Sequence, residues 1–301
     1  RLAAGRFYAH HNGENVTFSY WALRQHAALF DVPERPVEIS GPGAVEFLEY
    51  LVARNIKDME VGRGRYALIC THKGGIFMDG ILFRLAENRF WFVHPDGDLD
   101  TWLLANCNSF DVSVSDPKSR VLQLQGPKSF QIMHDATKGA LTQNFRYFHS
   151  GFFNVDGQQV YVSRTGWTGE LGYEIYTLGE QTDCPRLWKH LMRKGEPFGM
   201  VFSSMQAMNI RRIEAGILDS GSDFDNSMTP FEAGLGKFVD FDKKGFIGHD
   251  ALRIATPGTR LFGFRFGDAI PHCSDLIVCD SNSVGKVTTG AFSPYLDSGI
   301  G

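Results

Sequence analysis

The chain has 301 residues, of which 43% are hydrophobic and 21% charged, and its formal net charge is −4. These values are typical of a globular protein with enough chain for two or three domains or one large one. A slightly acidic protein is a poor partner for nucleic acid, and no apolar run reaches the length that crosses a membrane. The five cysteines are scattered and odd in number, which predicts reduced thiols and a cytoplasmic protein. The cysteine and histidine spacings favour no metal site.

The first part of the chain predicts a mixture of helices and strands, with the helices covering one face of a sheet. Apolar residues recur with helical spacing in three segments, and one of these begins close to Pro42. Apolar runs separated by short polar turns predict strands. The predicted elements are helices over 17–32, 42–56 and 98–108, and strands over 35–41, over 111–117 and three times within 63–95.

The second part of the chain restarts this pattern. A strand, a Gly-Pro turn and a helix are predicted over 120–136, two strands follow over 160–164 and 172–176, and two helices follow over 184–199 and 205–216. After about residue 236 the chain is rich in β-type runs punctuated by glycine, which is typical of a small barrel or sandwich. The whole chain is therefore predicted to have an α+β fold.

The run SRTGWTGELGYEIY, residues 163–176, gives the first indication of a site. If its two strands pair, Glu174 and Tyr176 point to the same face of the sheet, and Trp167 can fold over that face. A carboxylate between aromatic rings suits a cation or a planar ring edge with two N–H groups. The alternative is an ordinary hairpin with Trp167 in the core. The loop glycines, which allow a tight turn or the close approach of a ligand, are Gly166, Gly169 and Gly172.

Two further stretches add charged candidates. The run KGGIFMDG places Asp79 in an apolar strand, where it is either a surface acid at a strand end or a site carboxylate with a shifted pKa. The run IRRIEAGI places Arg212 on a helix, where it either pairs with a neighbouring acid or extends toward an anionic ligand.

With the runs TPFEAGL, FIGHDAL and VGKVTTGAFSP, these stretches resemble the tetrahydrofolate-dependent aminomethyltransferase family, which includes the T-protein of the glycine cleavage system. The matches run in order from about Phe18 to Pro294. The resemblance implies a three-domain cloverleaf around a tetrahydrofolate site. The implied domains are a discontinuous central folate-binding α+β domain (1–31 and 119–236), an α+β domain (32–118) and a β-barrel-like C-terminal domain (237–301) that is expected to be incomplete.

The resemblance also implies roles for individual residues. By motif position, Glu174 matches the glutamate that holds the pterin edge, and Arg212 matches an arginine that contacts folate. Asp79 matches the acid that faces the one-carbon centre and is the predicted catalytic residue. The aromatic side chains predicted to contact ligands are Trp167 and Tyr176, for both folate and substrate, and Tyr66, for the substrate.

The choice within the family rests on a few departures. The runs DVPERPVEISG and GSDFDNSMTPFEAGL, with the Gly-Trp turn, resemble the dimethylsulfoniopropionate demethylases more than the T-protein. The main hypothesis is therefore transfer of a methyl group from a small donor, dimethylsulfoniopropionate, to tetrahydrofolate. A sulfonium suits this transfer because its leaving group departs neutral, so that alignment is the main task.

Three alternatives stay open. The first is the T-protein, which would need a lipoyl carrier protein as its partner. The second is an O-demethylase of methoxyaromatics, which would need a proton donor such as Tyr66 or Tyr176. The third is a non-catalytic folate-binding protein. A homodimer is a further expectation, because dimers are common among such enzymes.

Overall fold

A computed structural model of the protein describes residues 2–3, 6–7, 11–95 and 97–301. Helices and strands alternate along the described chain, which confirms the predicted α+β class. None of the helices in these ranges is long and apolar enough to cross a bilayer. The helices are α1 (Val16–Gln25), α2 (Ala44–Leu51), α3 (Leu99–Asn106), α4 (Ser129–Ala136), α5 (Cys184–Gly195), α6 (Met205–Glu214) and α7 (His249–Ile254), with short 3₁₀ helices at Gly179–Gln181, Glu196–Phe198 and Gly236–Phe238.

The strands are numbered in chain order. They are β1 (Leu2–Ala3), β2 (Arg6–Phe7), β3 (Ala27–Val32), β4 (Arg35–Ser40), β5 (Arg63–Cys70), β6 (Ile76–Ala86), β7 (Arg89–His94), β8 (Ser113–Ser115), β9 (Val121–Gln125), β10 (Ser150–Val155), β11 (Gln158–Ser163), β12 (Gly172–Tyr176), β13 (Met200–Phe202), β14 (Arg265–Phe266), β15 (Leu276–Cys279), β16 (Asn282–Lys286), β17 (Ala291–Ser293) and β18 (Ser298–Ile300).

Two sheets dominate the structure. A six-stranded sheet has the order β10-β11-β12-β9-β3-β13 and is antiparallel except for the parallel pair β3–β13. A five-stranded antiparallel sheet has the order β5-β6-β7-β4-β8. The chain returns from the second sheet to the first through residues 116–120. It first leaves the first sheet at Val32 and enters the second at Arg35, through a connection of two residues. Any side chain on this connection therefore lies at the junction of the two sheets.

The core explains why the sheets stay together. One buried cluster fills the space between the five-stranded sheet and helices α2 and α3, and another lies between the six-stranded sheet and helices α4 and α5. A third cluster joins the two sheets directly. Since burial of apolar surface is the main favourable term in folding, this third cluster fixes the sheets against each other. Its largest side chains are Phe30, Phe83, Trp91, Tyr161 and Tyr176.

The helix predicted over 17–32 is too long. Helix α1 ends at Gln25, and Ala27–Val32 forms β3 in the interior of the six-stranded sheet. Five of the six residues of β3 are buried, because the strand has neighbours on both sides and layers on both faces. A short apolar run of this kind cannot be distinguished by periodicity from a buried helix, which accounts for the error. The three strands predicted within 63–95 are confirmed as β5, β6 and β7.

The C-terminal part is β-rich, as predicted. It contains a three-stranded sheet of order β14-β18-β17 and a separate hairpin of β15 and β16. The six-stranded sheet draws its strands from 27–32 and 121–202, and the five-stranded sheet draws its strands from 35–115. The division into three domains stays a prediction, and residues 1, 4–5 and 8–10 of its first range, with residue 96 of its second, lie outside the described residues.

Candidate active site

Glu174 lies at the centre of a buried hydrogen-bond network on the six-stranded sheet. It is only 3% exposed. Its Oε2 accepts hydrogen bonds from the hydroxyls of Tyr176 at 2.5 Å, Thr165 at 2.7 Å and Ser163 at 3.3 Å. Its Oε1 accepts from Nε2 of Gln123 at 3.1 Å. Burial raises the pKa of Glu174, and the three hydroxyl donors oppose this by stabilising the carboxylate.

The predicted strand pairing around Glu174 is confirmed. β11 and β12 are antiparallel neighbours, with Ser163 opposite Glu174. Glu174 and Tyr176 are two residues apart on β12 and therefore share a face, as their hydrogen bond shows. On the other side of β12, Gln123 of β9 is the direct partner of Glu174.

A second glutamate joins this network from the junction of the sheets. Nε2 of Gln123 also donates to Glu34, with both carboxylate oxygens 3.1 Å away. Glu34 lies on the two-residue connection between β3 and β4 and is partly buried. Burial raises the pKa of Glu34 well above its ordinary value, the charges of Glu174 and Asp79 raise it further, and the Gln123 bond opposes them.

Asp79 brings a third carboxylate to the site from the five-stranded sheet. The hydroxyl of Tyr66 on β5 donates to Oδ2 of Asp79 on β6 at 2.8 Å. The pair is diagonal across the strands, because Tyr66 lies opposite Ile81. Oδ1 of Asp79 is buried and has no hydrogen-bond partner within residues 11–95 and 97–301. Burial raises the pKa of Asp79 to about 6, opposed by the Tyr66 bond and helped by the charge of Asp219.

Trp167 is partly buried and fixed by hydrogen bonds at both its backbone and its ring. Its backbone N–H donates to Oε1 of Gln123 at 3.3 Å, and its indole N–H donates to the carbonyl of Leu218 at 3.1 Å. The guanidinium carbon of Arg212 lies 5.2 Å from the centre of the ring, which is a cation–π contact. Trp167 thus lies beside Gln123, and one face of its ring is covered by the guanidinium group of Arg212.

Arg212 is 2% exposed and its donors are engaged by the protein. It holds the segment 217–223, which carries Leu218 next to Trp167 and Asp219 near Asp79. This geometry fits the first alternative given by the sequence, in which the arginine pairs with an acid. The groups that accept hydrogen bonds from Arg212 are the side chains of Asn209, Asp223 and Thr289 and the carbonyl of Ile217.

Tyr176 is fully buried, at 0% exposure. Its ring packs edge-on against Phe83 and Trp91 of the other sheet, at 5.8 and 6.0 Å between ring centres. In this structure Tyr176 therefore supports Glu174 through its hydroxyl and presents no open face to a ligand.

The glycines of the 163–172 loop have different functions. A Cβ on Gly166 or Gly172 would lie 2.1 and 2.3 Å from the side chain of Gln125, so these glycines leave room for that amide. The Gln125 side chain is buried and ties the loop down through hydrogen bonds to Thr168 and to the carbonyl of Thr165. Gly169 has a φ of +69° and makes the tight turn. A Cβ on Gly169 would also lie 2.7 Å from Cβ of Ala215, so a protein side chain makes the close approach at all three positions.

The site as a whole is acidic and poor in free donors. Glu34, on the connection between the sheets, interacts electrostatically with Glu174 of the six-stranded sheet and with Asp79 of the five-stranded sheet. Buried carboxylates of this kind need N–H donors or a cation from a ligand to offset their desolvation. In the part of the chain that the structure describes, no group of three or more His, Cys, Asp or Glu side chains is arranged to hold a metal ion. A groove lined by Tyr50 and His249 contains none of the predicted site residues.

Sequence reasoning missed Glu34, Gln123 and Gln125. The run around Glu34 stood out as distinctive, but nothing in it indicates contact with a strand 89 residues further on. The two glutamines occur in a strand whose five residues are all buried, and two amides in such a strand are a signal that could have pointed to a buried polar network.

Comparison with known proteins shows which family has this architecture. A family model described as the GCVT N-terminal domain matches residues 4–243. The aminomethyltransferase of Caldanaerobacter subterraneus subsp. tengcongensis is 32% identical over 96% of this chain and 79% of its own length. The aminomethyltransferase of Streptomyces avermitilis is 34% identical over 91% of this chain and 77% of its own length. The crystal structure of glycine cleavage system aminomethyltransferase T from Bartonella henselae matches with a TM-score of 0.80 and 28% identity, covering 95% of this chain and 80% of that one.

The fold is that of a folate-dependent one-carbon transferase. The chain belongs to the tetrahydrofolate-dependent aminomethyltransferase (GCVT) family. The predicted family, its α+β fold, the enzyme class and the tetrahydrofolate cofactor are thereby confirmed. The particular likeness to dimethylsulfoniopropionate demethylases has no support in these relatives, which are named aminomethyltransferases.

Proposed function

We propose that the protein is an aminomethyltransferase of the glycine cleavage type, which transfers the methylene carbon of an S-aminomethyl donor to tetrahydrofolate, giving 5,10-methylenetetrahydrofolate and releasing ammonia and the donor's free thiol. The observation that carries this proposal is the match to the Bartonella henselae aminomethyltransferase T over 95% of the chain. The donor would be an aminomethyl group on a lipoyl carrier protein, which is the partner that such a reaction needs. Whether the protein forms a homodimer stays a prediction.

The residues of the site fit tetrahydrofolate. Its pterin ring presents N–H groups, and the site offers carboxylates with unfilled acceptor positions, including the buried Oδ1 of Asp79. When bound, tetrahydrofolate supplies the nitrogens that receive the one-carbon unit. Glu174 and Trp167 would line its ring, while Arg212 and Tyr176 would act as positioning residues, because both are buried and engaged by protein groups.

Asp79 is the proposed catalytic residue. A carboxyl group with a pKa of about 6 is mostly ionised at neutral pH and is still basic enough to take a proton. Oδ1 is the atom that would accept this proton, or stabilise positive charge at the reacting centre, because Oδ2 already accepts from Tyr66. Tyr66 is therefore proposed to orient Asp79 beside the substrate.

The geometry argues against a sulfonium donor. That hypothesis requires an aromatic wall to hold the cation, and the candidate walls are Trp167 and Tyr176. One face of Trp167 already lies against Arg212, and Tyr176 is fully buried. The O-demethylase alternative is weakened in a similar way, since the Tyr66 hydroxyl donates to Asp79.

The test is product identification. The protein is incubated with tetrahydrofolate and one donor at a time: an aminomethyl-lipoyl carrier protein, dimethylsulfoniopropionate or a methoxybenzoate. The folates formed in each incubation are separated by liquid chromatography with mass detection. We expect 5,10-methylenetetrahydrofolate to form with the aminomethyl-lipoyl carrier protein and with neither of the other two donors. Formation of 5-methyltetrahydrofolate from the sulfonium or the aryl ether would overturn it, and the Asp79→Asn variant is the control for uncatalysed transfer.

A further inference from the structure

A short segment of the C-terminal part, residues 288–293, packs on helix α6 and binds a buried ion pair there. The hydroxyl oxygen of Thr289 accepts a hydrogen bond from Nη2 of Arg212 at 2.8 Å. The hydroxyl of the preceding residue, Thr288, donates to Oδ1 of Asp223 at 2.8 Å. Arg212 and Asp223 are each 2% exposed and form an ion pair. Two adjacent threonines of the segment therefore hold the two members of one buried ion pair.

This ion pair in turn holds the ring of Trp167. The guanidinium carbon of Arg212 lies 5.2 Å from the centre of the Trp167 ring and covers one of its faces. Oδ2 of Asp223 accepts the backbone N–H of Asp219 at 2.9 Å. The carbonyl of the residue before it, Leu218, accepts the indole N–H of Trp167 at 3.1 Å. The ring is thus fixed on one face and at its N–H by groups that the ion pair keeps in place.

A second route connects the segment to the loop that carries Trp167. The hydroxyl of Ser293 donates to Oε1 of Glu214 at 2.5 Å. Nη1 of Arg211 lies 3.6 Å from Oε2 of Glu214, and Nε of Arg211 donates to Oε1 of Glu170 at 2.8 Å. Glu170 follows Trp167 in the same loop. The segment is therefore connected to this loop at two places, through a different arginine in each case.

We propose that Thr289 is a positioning residue for tetrahydrofolate: by holding Arg212 it keeps Trp167 in place against the folate ring. This inference rests on the proposed function, in which Trp167 lines that ring, and it assigns a part in folate binding to the segment 288–293. The packing of the segment on α6 and the binding of folate are then coupled. Such a coupling is reciprocal, so bound folate strengthens the packing by the same factor by which the packing strengthens folate binding.

Thr289 is the contact at which the coupling can be interrupted with least damage to the fold. Thr289→Val replaces the hydroxyl with a methyl group and leaves Nη2 of Arg212 without this acceptor. The guanidinium keeps its bonds to Asn209 and Asp223, so we expect it to shift relative to Trp167 while the chain stays folded. Thr289→Ser keeps the hydroxyl and is the conservative variant that should restore the contact.

The experiment first measures the affinity of the full chain for tetrahydrofolate by isothermal titration calorimetry. We expect Thr289→Val to bind it about 5- to 10-fold more weakly, within the usual range of coupling between sites. Thr289→Ser should bind within about 2-fold of wild type, because the hydrogen bond is kept. In ¹⁵N-labelled protein the indole N–H resonance of Trp167, assigned with Trp167→Phe, should move in Thr289→Val and stay in place in Thr289→Ser.

Hydrogen–deuterium exchange tests the reciprocal effect in the wild-type protein and needs no variant. Tetrahydrofolate should slow the exchange of the backbone amides of residues 288–293, and it should slow it less in Thr289→Val. The matched control is Thr256→Val, which makes the same chemical change at an exposed position and should leave the affinity and the resonance unchanged. If Thr289→Val does not fold in thermal unfolding, Thr288→Val removes the neighbouring contact to Asp223 and should give the same weakening.

Equal folate affinity in wild type and Thr289→Val, or an equal loss in Thr289→Val and Thr289→Ser, would overturn the assignment of Thr289. Exchange in residues 288–293 that bound folate leaves unchanged would overturn the coupling. A wild-type protein that binds no tetrahydrofolate would instead refute the proposed function, so that the two failures are distinguishable.

Discussion

The hydrogen bond from Tyr66 to Asp79 should control the pH at which the enzyme becomes active. This bond favours the ionised carboxylate, and burial favours the neutral form, with a resulting pKa of about 6. The Tyr66→Phe variant removes the bond and keeps the ring. A hydrogen bond to a charged group contributes ~1.5–3 kcal/mol, and one pKa unit corresponds to ~1.4 kcal/mol. The pKa of Asp79 should therefore rise from about 6 to roughly 7–8.

The consequence is a shift of the acid side of the pH profile. At pH 7 the ionised fraction of Asp79 should fall from roughly 90% to roughly 10–50%, so that kcat/KM falls about 2- to 10-fold and recovers near pH 9. The assay is formation of 5,10-methylenetetrahydrofolate from pH 5 to 9 at constant ionic strength. Tyr295→Phe, which removes a hydroxyl from an exposed tyrosine, is the control. An unchanged profile in Tyr66→Phe would refute this reasoning.

The same pKa has a consequence for stability, with a definite sign. Because folding raises the pKa of Asp79 from 3.8 to about 6, the folded state binds more protons than the unfolded state between these values. Stability is therefore lost as the pH rises through this window, up to a limit of ~3 kcal/mol at pH 7. Asp79→Asn should increase the free energy of unfolding at pH 7, measured with urea, while abolishing turnover. A loss of stability in this variant would contradict the burial assigned to Asp79.

Two further predictions concern residues that position the site. Gly166→Ala should lower the free energy of unfolding by ~1–3 kcal/mol and weaken folate binding, because the new Cβ would displace the buried amide of Gln125. Thermal unfolding checks the loss of stability. The control is Gly263→Ala, where the atom nearest to the new Cβ is 3.9 Å away. Arg212→Met should destabilise the protein by ~3–5 kcal/mol in urea unfolding, because Asp223 becomes a buried charge without its partner. Adding Asp223→Asn should restore part of this loss, and a loss that does not recover would show that the ion pair is not its cause.

The sequence predicted those parts of the fold that depend on local pattern. The strands β5, β6 and β7 were predictable because apolar runs and the turn residues between them mark each strand. The common face of Glu174 and Tyr176 followed from the two-residue period of a strand. The position at which helix α1 ends and strand β3 begins was not predictable. β3 is buried on both faces, so its sequence does not alternate between apolar and polar residues.

The contacts of the site were less predictable than the identity of its residues. Asp79 meets Tyr66 because of the register of β5 against β6, and Glu34 meets Gln123 because β3, which leads into Glu34, pairs with β9. Both facts depend on pairings between distant segments, which a single sequence does not specify. The burial of Arg212 was unpredictable for the same reason, since its partners lie on a loop and on a C-terminal segment 77 residues away.

The arrangement of the carboxylates suggests why the enzyme places its site between two sheets. Glu174 and Asp79 lie on different sheets, and each keeps its position through neighbours in its own sheet: hydroxyls on β11 and β12 for Glu174, and Tyr66 on β5 for Asp79. The apolar cluster between the sheets fixes their separation without any bond between the acids themselves. Two acids can thus be held on separate sheets, with their positions fixed by packing elsewhere. In the proposed enzyme, one acid group would face the ring of the folate and the other its reacting centre. The alignment of the two would then depend on how the sheets pack, since the chain passes between the sheets at residues 33–34 and again at residues 116–120.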